Sequence, residues 1–128
     1  MKILIAEDDA SVAFILQLSL ESLGGHRVEI VNDGKAAVES ALKDEFDLIL
    51  LDGMMPKLSG LQAAAAIRSG GEKKTPIIFL SARNDDQEIN QFLKVGNGYL
   101  AKPFDPQTIC SAIETELKRI QNSETAGQ

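Results

Sequence analysis

The chain of 128 residues contains one cysteine, Cys110. A single cysteine excludes an internal disulfide and a cysteine metal cluster, so we expect a reducing, cytoplasmic setting. Long apolar runs are also missing: none approaches the ~20 residues that a membrane span needs, and no signal segment opens the sequence. Positive charge is in deficit, because 13 Lys and Arg face 19 Asp and Glu. This composition argues against direct nucleic-acid binding, which usually requires a basic patch.

The remaining composition is that of one ordinary globular domain, with 44% hydrophobic and 25% charged residues. Short apolar segments alternate with amphipathic ones, which predicts an α/β fold whose parallel sheet is covered on both faces. The predicted strands are 2–6, 27–31, 47–51, 76–80 and 99–101, and the predicted helices are 10–23, 35–43, 61–68, 85–95 and a last one opened by Pro106. We place the domain at 1–121 and a flexible polar tail at 122–128.

The first predicted helix has an apolar face with helical spacing, formed by Val12, Leu16, Leu20 and Leu23. The last has a similar stripe, formed by Ile109, Ile113, Leu117 and Ile120. Both faces are expected to pack against the sheet.

One buried segment ends in a single carboxylate. Four apolar residues run from Leu48 to Leu51 and are followed by Asp52. The run is typical of a strand buried on both faces, and open α/β sheets bind their ligands at the carboxyl ends of strands. On this segment alone, Asp52 is as good a turn residue as a reacting group.

Polar residues follow the other predicted strands too. Glu7, Asp8 and Asp9 follow the first strand, Ser81 the fourth and Lys102 the fifth. Because the carboxyl ends of parallel strands meet at one edge, we expect these groups to converge with Asp52. Carboxylates held together favour a hard cation such as magnesium, while a lysine and a hydroxyl suit phosphate. An aspartate near the metal could act as a nucleophile and form an acyl phosphate.

With these residues the chain resembles the receiver domain of bacterial two-component response regulators over about residues 2–120. The matching segments are Ile5-Ala6-Glu7-Asp8, Asp52 with Met55-Pro56, Leu58-Ser59-Gly60, Leu80-Ser81-Ala82-Arg83 and Tyr99-Leu100-Ala101-Lys102-Pro103-Phe104. The resemblance implies a flavodoxin-like, doubly wound sheet of five parallel strands in the order 2-1-3-4-5, with five helices.

The resemblance also implies roles for the residues at the sheet edge. Asp52 would accept a phosphoryl group, aided by Ser81 and Lys102. A magnesium ion, or manganese in its place, would be held by Glu7, Asp8, Asp52 and the backbone carbonyl of Met54. Such a domain is not a conventional enzyme, since it catalyses only its own phosphorylation and dephosphorylation.

Further implications concern switching and partners. Ser81 and Tyr99 would move together on phosphorylation, altering the surface of helix four, strand five and helix five. The Lys102-Pro103 peptide would be cis. The donor would be a histidine kinase or a histidine phosphotransfer protein, and the output a protein target. Phe14 and Leu18, four residues apart, would dock the donor, although scattered apolar surface residues are also common.

Two features depart from the family pattern. The loop Gly96-Asn97-Gly98-Tyr99 is one residue shorter than usual before the aromatic residue. We expect this to change the end of helix four or the rotation of Tyr99. Gly53 follows Asp52 where a larger residue is frequent, which opens the approach to the carboxylate.

Several alternatives stay open besides a stand-alone regulator or phosphorelay shuttle. The chain could be the receiver module of a longer multidomain regulator. It could be a receiver that binds partners without phosphorylation. It could also be an Asp-nucleophile phosphatase of the haloacid dehalogenase type. Enzymes of that last class have an Asp-x-Asp motif, in which the first Asp is the nucleophile and the second is the general acid. Met54 stands in place of the second Asp here and cannot transfer a proton.

Overall fold

The computed structural model describes residues 1–53, 55, 57–71, 74–81, 86–95, 97–102 and 104–126, with the backbone alone at 86–89, 95 and 123–126. Strands and helices alternate along the chain. The strands are β1 (Lys2–Ala6), β2 (Arg27–Val31), β3 (Leu48–Asp52), β4 (Ile77–Ser81) and β5 (Gly98–Ala101). The helices are α1 (Ala10–Leu18, continued by a π-helical turn at Ser19–Leu23), α2 (Gly34–Lys43), α3 (Gly60–Ser69), α4 (Asp86–Val95) and α5 (Ile109–Ala126).

The five strands form one parallel sheet in the order β2-β1-β3-β4-β5, which confirms the predicted fold class and strand order. β3 lies at the centre, and its residues Leu48 to Leu51 have no exposed surface. A leucine buried to this extent contributes about 1.5–3 kcal/mol through its apolar surface. The central strand is therefore a rigid support for the carboxylate at its end.

Two hydrophobic clusters cover the two faces of the sheet, because successive strand side chains point to opposite sides. Leu4 and Ile49 pack in the cluster that contains residues of α2, α3 and α4. Ile3 and Leu50 pack in the other cluster, with residues of α1 and α5. The polar groups at the strand ends thus sit at the rim between two cores.

The predicted buried face of the first helix is wrong at Leu23, whose surface is 64% exposed. Leu16 and Leu20 are fully buried as expected. Past them, the Gly24 N–H bonds to the Ser19 carbonyl at 3.2 Å, five residues back. This wider turn has more residues per turn than an α-helix, so it rotates Leu23 away from the sheet.

The prediction that Pro106 opens the last helix is also wrong, since α5 begins at Ile109. Asp105 organises the preceding turn: its Oδ1 accepts from the Gln107 N–H at 2.9 Å and its carbonyl from the Thr108 and Ile109 N–H groups. The predicted stripe is confirmed, because Ile109 and its partners in the stripe pack in the core. The helix extends to Ala126, and the flexibility of 122–128 stays a prediction.

In the part of the chain that the structure describes, there is no helix with the length and apolar character needed to cross a membrane.

Candidate functional site

The sheet itself fixes the backbone at its carboxyl edge. Hydrogen bonds of the parallel ladder continue one step past the strands: the Glu7 N–H bonds to the Val31 carbonyl, and the Gly53 N–H to the Leu80 carbonyl at 2.9 Å. The Lys102 N–H bonds in the same way to the Ser81 carbonyl at 2.9 Å. The residues that follow the strands are therefore positioned by the sheet.

Three acidic side chains meet at this edge. One carboxylate oxygen from each of Glu7, Asp8 and Asp52 lies within 4.8 Å of the other two. Glu7 and Asp52 are buried, with 2% and 6% of their surface exposed, whereas Asp8 is exposed. A set of hard oxygen donors that is open to solvent on one side fits a divalent cation that keeps part of its water shell. The residues could thus hold a metal ion.

Lys102 neutralises part of this negative charge. Its Nζ lies 2.8 Å from Glu7 Oε2 and 3.2 Å from Asp52 Oδ2. Burial lowers the pKa of Lys102, but the two neighbouring carboxylates outweigh that effect, so the pKa is raised above its ordinary value. The lysine is therefore firmly charged and stands between the two buried acids.

Glu7 is the acid whose protonation the site changes most. Burial is the main reason that its pKa rises to about 7, and Asp52 raises it further. Lys102 and the Asp9 N–H, which donates to Glu7 Oε1 at 3.1 Å, act in the opposite direction. Without a metal, the Glu7 carboxyl group is consequently partly protonated near neutral pH.

Asp9, the third acid after β1, has a separate task. Its Oδ1 accepts from the N–H groups of Ser11 and Val12 at 2.9 and 3.3 Å. It is the N-cap of α1 and satisfies N–H groups that have no partner within the helix, rather than joining Asp52 as the sequence pattern predicts. It is thereby separated from the Glu7, Asp8 and Asp52 cluster.

The loop after Asp52 is held by a close contact that sequence reasoning missed. A Cβ at Gly60 would lie 2.4 Å from the Asp52 carbonyl oxygen, and the Gly60 N–H bonds to the Gly53 carbonyl at 3.1 Å. Ser59 and Gln62 form a capping box at the start of α3. The segment Leu58-Ser59-Gly60 is therefore a usable signal for this contact as well as a match to the family pattern.

The two predicted switch residues lie on the neighbouring strands. Ser81 is buried and ends β4 rather than following it. Tyr99 pairs with Phe79 in the β4–β5 register. Its ring packs half-buried against Phe92, with centroids 6.1 Å apart. The movement assigned to both residues stays a prediction.

The other predicted site residues are either outside the described residues or on α1. Met54, the expected carbonyl ligand, and Pro103, the expected cis residue, are outside the described residues. Phe14 and Leu18 are on α1 and are 63% and 49% exposed. Their role in docking stays a prediction.

Comparisons with known proteins point in one direction. A sequence model described as the response regulator receiver domain matches residues 3–114. The response regulator ArlR of Staphylococcus saprophyticus is 39% identical over 119 residues, which are 92% of this chain and 53% of that protein. MprA of Mycobacterium leprae is 38% identical over 98% of this chain and 55% of that protein. The chain thus spans about half the length of these curated relatives.

Solved structures agree in fold. The chemotaxis response regulator CheY4 of Vibrio cholerae has a TM-score of 0.84 at 30% identity, covering 90% of this chain and 97% of that one. The receiver domain of a sensor histidine kinase from Pseudomonas aeruginosa PAO1 has a TM-score of 0.80 at 34% identity, covering 94% and 97%. In that structure a magnesium ion is coordinated in the active site cleft.

Proposed function

Because this chain belongs to the response regulator receiver domain family, we propose that its Asp52 accepts a phosphoryl group from a phosphohistidine. The observation that carries the proposal is the cluster of Glu7, Asp8 and Asp52 with the Lys102 ammonium 3.2 Å from Asp52. An Asp52 carboxylate oxygen would attack phosphorus, the phosphorus–nitrogen bond would break, and the imidazole would keep the electron pair. Little more than positioning and charge neutralisation is needed for such a transfer.

In this proposal Glu7, Asp8 and Asp52 would hold a magnesium ion, or manganese in its place. The ion would neutralise charge on the phosphoryl oxygens. Lys102, which is charged and close to Asp52, would pair with another of these oxygens. Ser81, buried at the end of the neighbouring strand, would donate its hydroxyl to the group.

The output would follow from the charge that phosphorylation adds. Ser81 and Tyr99 would shift together, and the surface formed by α4, β5 and α5 would change in response. Such a change biases an equilibrium between two states of the surface rather than creating a new one. A downstream protein would bind one of the two states.

The partners follow from family membership in outline only. Receiver domains interact with histidine kinases and with downstream targets. We propose that the exposed pair Phe14 and Leu18 contacts the donor protein.

Some relatives are named transcriptional regulatory proteins, such as RprY of Bacteroides fragilis. Since the chain spans half of such relatives, its place in a longer regulator and the absence of nucleic-acid contact both stay expectations.

Incubation with acetyl phosphate and magnesium tests the proposal. Intact-mass analysis should show one added phosphoryl group, which is lost when a chelator removes the metal. Asp52→Asn should abolish the adduct, whereas Asp44→Asn, an exposed acid at the end of α2, should keep it. An unchanged adduct in Asp52→Asn would show that the acceptor lies elsewhere.

The phosphatase alternative has less support, since the matched family consists of receivers. Steady turnover of a small phosphate ester, independent of any protein donor, would favour it instead.

A further inference from the structure

Asn97 forms hydrogen bonds with three elements at the edge of the sheet opposite the acidic cluster. Its N–H donates to the Ile77 carbonyl at 2.8 Å, and its Oδ1 accepts from the Ile77 N–H at 2.9 Å. The same Oδ1 accepts from Arg68 Nη2 of α3 at 2.9 Å. Its carbonyl accepts from Arg119 Nη2 of α5 at 2.8 Å. Asn97 thus joins α3, β4 and α5 immediately before β5 begins.

The next residue brings α5 against the start of the strand. Gly98 is buried, and a Cβ there would lie 2.8 Å from Glu116 Cγ. Glu116 in turn forms an ion pair with Arg119, the residue that binds the Asn97 carbonyl. These contacts hold Asn97 and Gly98, the two described residues before Tyr99 in the loop that the family resemblance predicts to be one residue short.

β5 depends on such an anchor more than the central strands do. It has four residues and lies at the edge of the sheet, where β4 is its one neighbouring strand among the described residues. A slip of one residue in a strand turns every side chain to the opposite face. Asn97 and Ile77 exchange two hydrogen bonds, which extend the β4–β5 ladder by one residue pair. In this pair the side-chain carbonyl of Asn97 accepts in place of a backbone carbonyl.

The register of β5 also determines where the site lysine lies. Ser81 pairs with Ala101, and the next N–H, that of Lys102, bonds to the Ser81 carbonyl. Lys102 Nζ reaches Asp52 from this position. We infer that Asn97 is a positioning residue, which with Arg68 and Arg119 fixes the register of β5 and so places Lys102 beside Asp52. The catalytic part of this inference rests on the proposed function, and the register part on geometry alone.

The test compares three variants of the full chain. Asn97→Ala removes the side-chain acceptor, while Asn97→Asp keeps an oxygen for the Ile77 N–H and Arg68. Thr75→Val is the matched control, because Thr75 Oγ1 donates to the Phe46 carbonyl at 3.2 Å, a hydrogen bond at the same edge whose acceptor precedes β3. Phosphorylation by acetyl phosphate and amide exchange of Leu100 and Lys102 are measured at a temperature where all variants are folded.

Asn97→Ala loses the hydrogen bonds from the Ile77 N–H and from Arg68, of which the first pairs directly with β4. This loss should speed exchange of the β5 amides about tenfold and slow phosphorylation about threefold or more. Asn97→Asp should restore both to within about twofold, and Thr75→Val should leave both near the original values. Unchanged exchange in Asn97→Ala, or equal slowing in Thr75→Val, would overturn the inference. If the original protein takes up no phosphoryl group, the proposed function fails, and the exchange rates still decide whether Asn97 fixes the strand.

Discussion

The Glu7 carboxylate and the Lys102 ammonium form an ion pair of 2.8 Å whose acidic partner has no exposed side-chain surface. A second acid, Asp52, shares the same ammonium at 3.2 Å. The site therefore carries its own counter-charge before any metal binds. A divalent cation entering this cluster has to compete with a lysine on one side and with a proton on the other.

Replacing Lys102 by Met should destabilise the metal-free protein by about 3–5 kcal/mol at pH 8, because it leaves two buried carboxylates without a cation. At pH 5.5 the loss should be smaller, since Glu7 is then protonated and one negative charge is removed. Urea unfolding at both pH values, without magnesium, measures the difference. An equal loss at pH 5.5 and pH 8 would contradict the assigned charge balance.

The pKa of about 7 at Glu7 gives the metal-free protein a defined pH dependence. Because this pKa is raised above the ordinary value of 4.5, the folded state binds the proton more tightly than the unfolded state. The resulting stabilisation is complete below pH 4.5 and is lost as the pH rises through about 7. Thermal unfolding of the original protein and Glu7→Gln in metal-free buffers should show this loss only where Glu7 is present.

Magnesium binding should release a proton for the same reason, because the metal requires the deprotonated carboxylate. Apparent affinity should fall as the pH drops below about 7. Calorimetric titrations in two buffers with different ionisation enthalpies detect the released proton, and Glu7→Gln should remove it. Identical heats in both buffers would mean that Glu7 is already ionised.

Adding a methyl group at Gly60 should disturb the acceptor directly. The new Cβ would meet the Asp52 carbonyl oxygen at 2.4 Å, a backbone atom that cannot turn aside. Gly60→Ala should cost about 1–3 kcal/mol of stability and slow phosphorylation. Gly70→Ala, at the other end of α3, is the control, since its Cβ would approach most closely the mobile end of the Leu42 side chain, and the nearest backbone atom, the Ala66 carbonyl oxygen, lies 3.2 Å away. Equal effects from both substitutions, measured by urea unfolding and intact mass, would count against the close approach.

Phe14→Ala should change stability by less than about 0.5 kcal/mol, because the ring is mostly exposed. It should slow phosphotransfer from a cognate protein donor and leave phosphorylation by acetyl phosphate unchanged. Leu23→Ala is the matched control, with the same exposure but outside the Phe14 and Leu18 pair. Normal transfer from the protein donor in Phe14→Ala would remove α1 from the docking surface.

The sequence predicted the fold well because the apolar patterns that indicate strands and helices depend on neighbouring residues alone, and these patterns are strong in this chain. Alternating apolar segments predicted the strands of a parallel sheet, and parallel strands bring Glu7, Asp52 and Lys102 to one edge. The strand order came from the family resemblance, since alternation alone does not determine it.

The incorrect or missing predictions concern a local break in the helical period and contacts between residues remote in sequence. A regular helical period predicts Leu23 in the core, and the π-helical turn breaks that period. Gly60 was not singled out, because only the folded chain shows the Asp52 carbonyl pressed against it. Asn97 was seen as part of a shortened loop, but Arg68, Ile77 and Arg119 are remote in sequence.

The π-helical turn at Ser19–Leu23 also has a consequence for chain length. A turn that closes over five residues instead of four contains one residue more than a regular helix of that rise requires. Deleting the exposed Ser22 would let the segment return to ordinary helical bonding, with Leu16 and Leu20 still anchored beneath it. We expect the first helix to tolerate this deletion without movement of the acidic cluster at its other end.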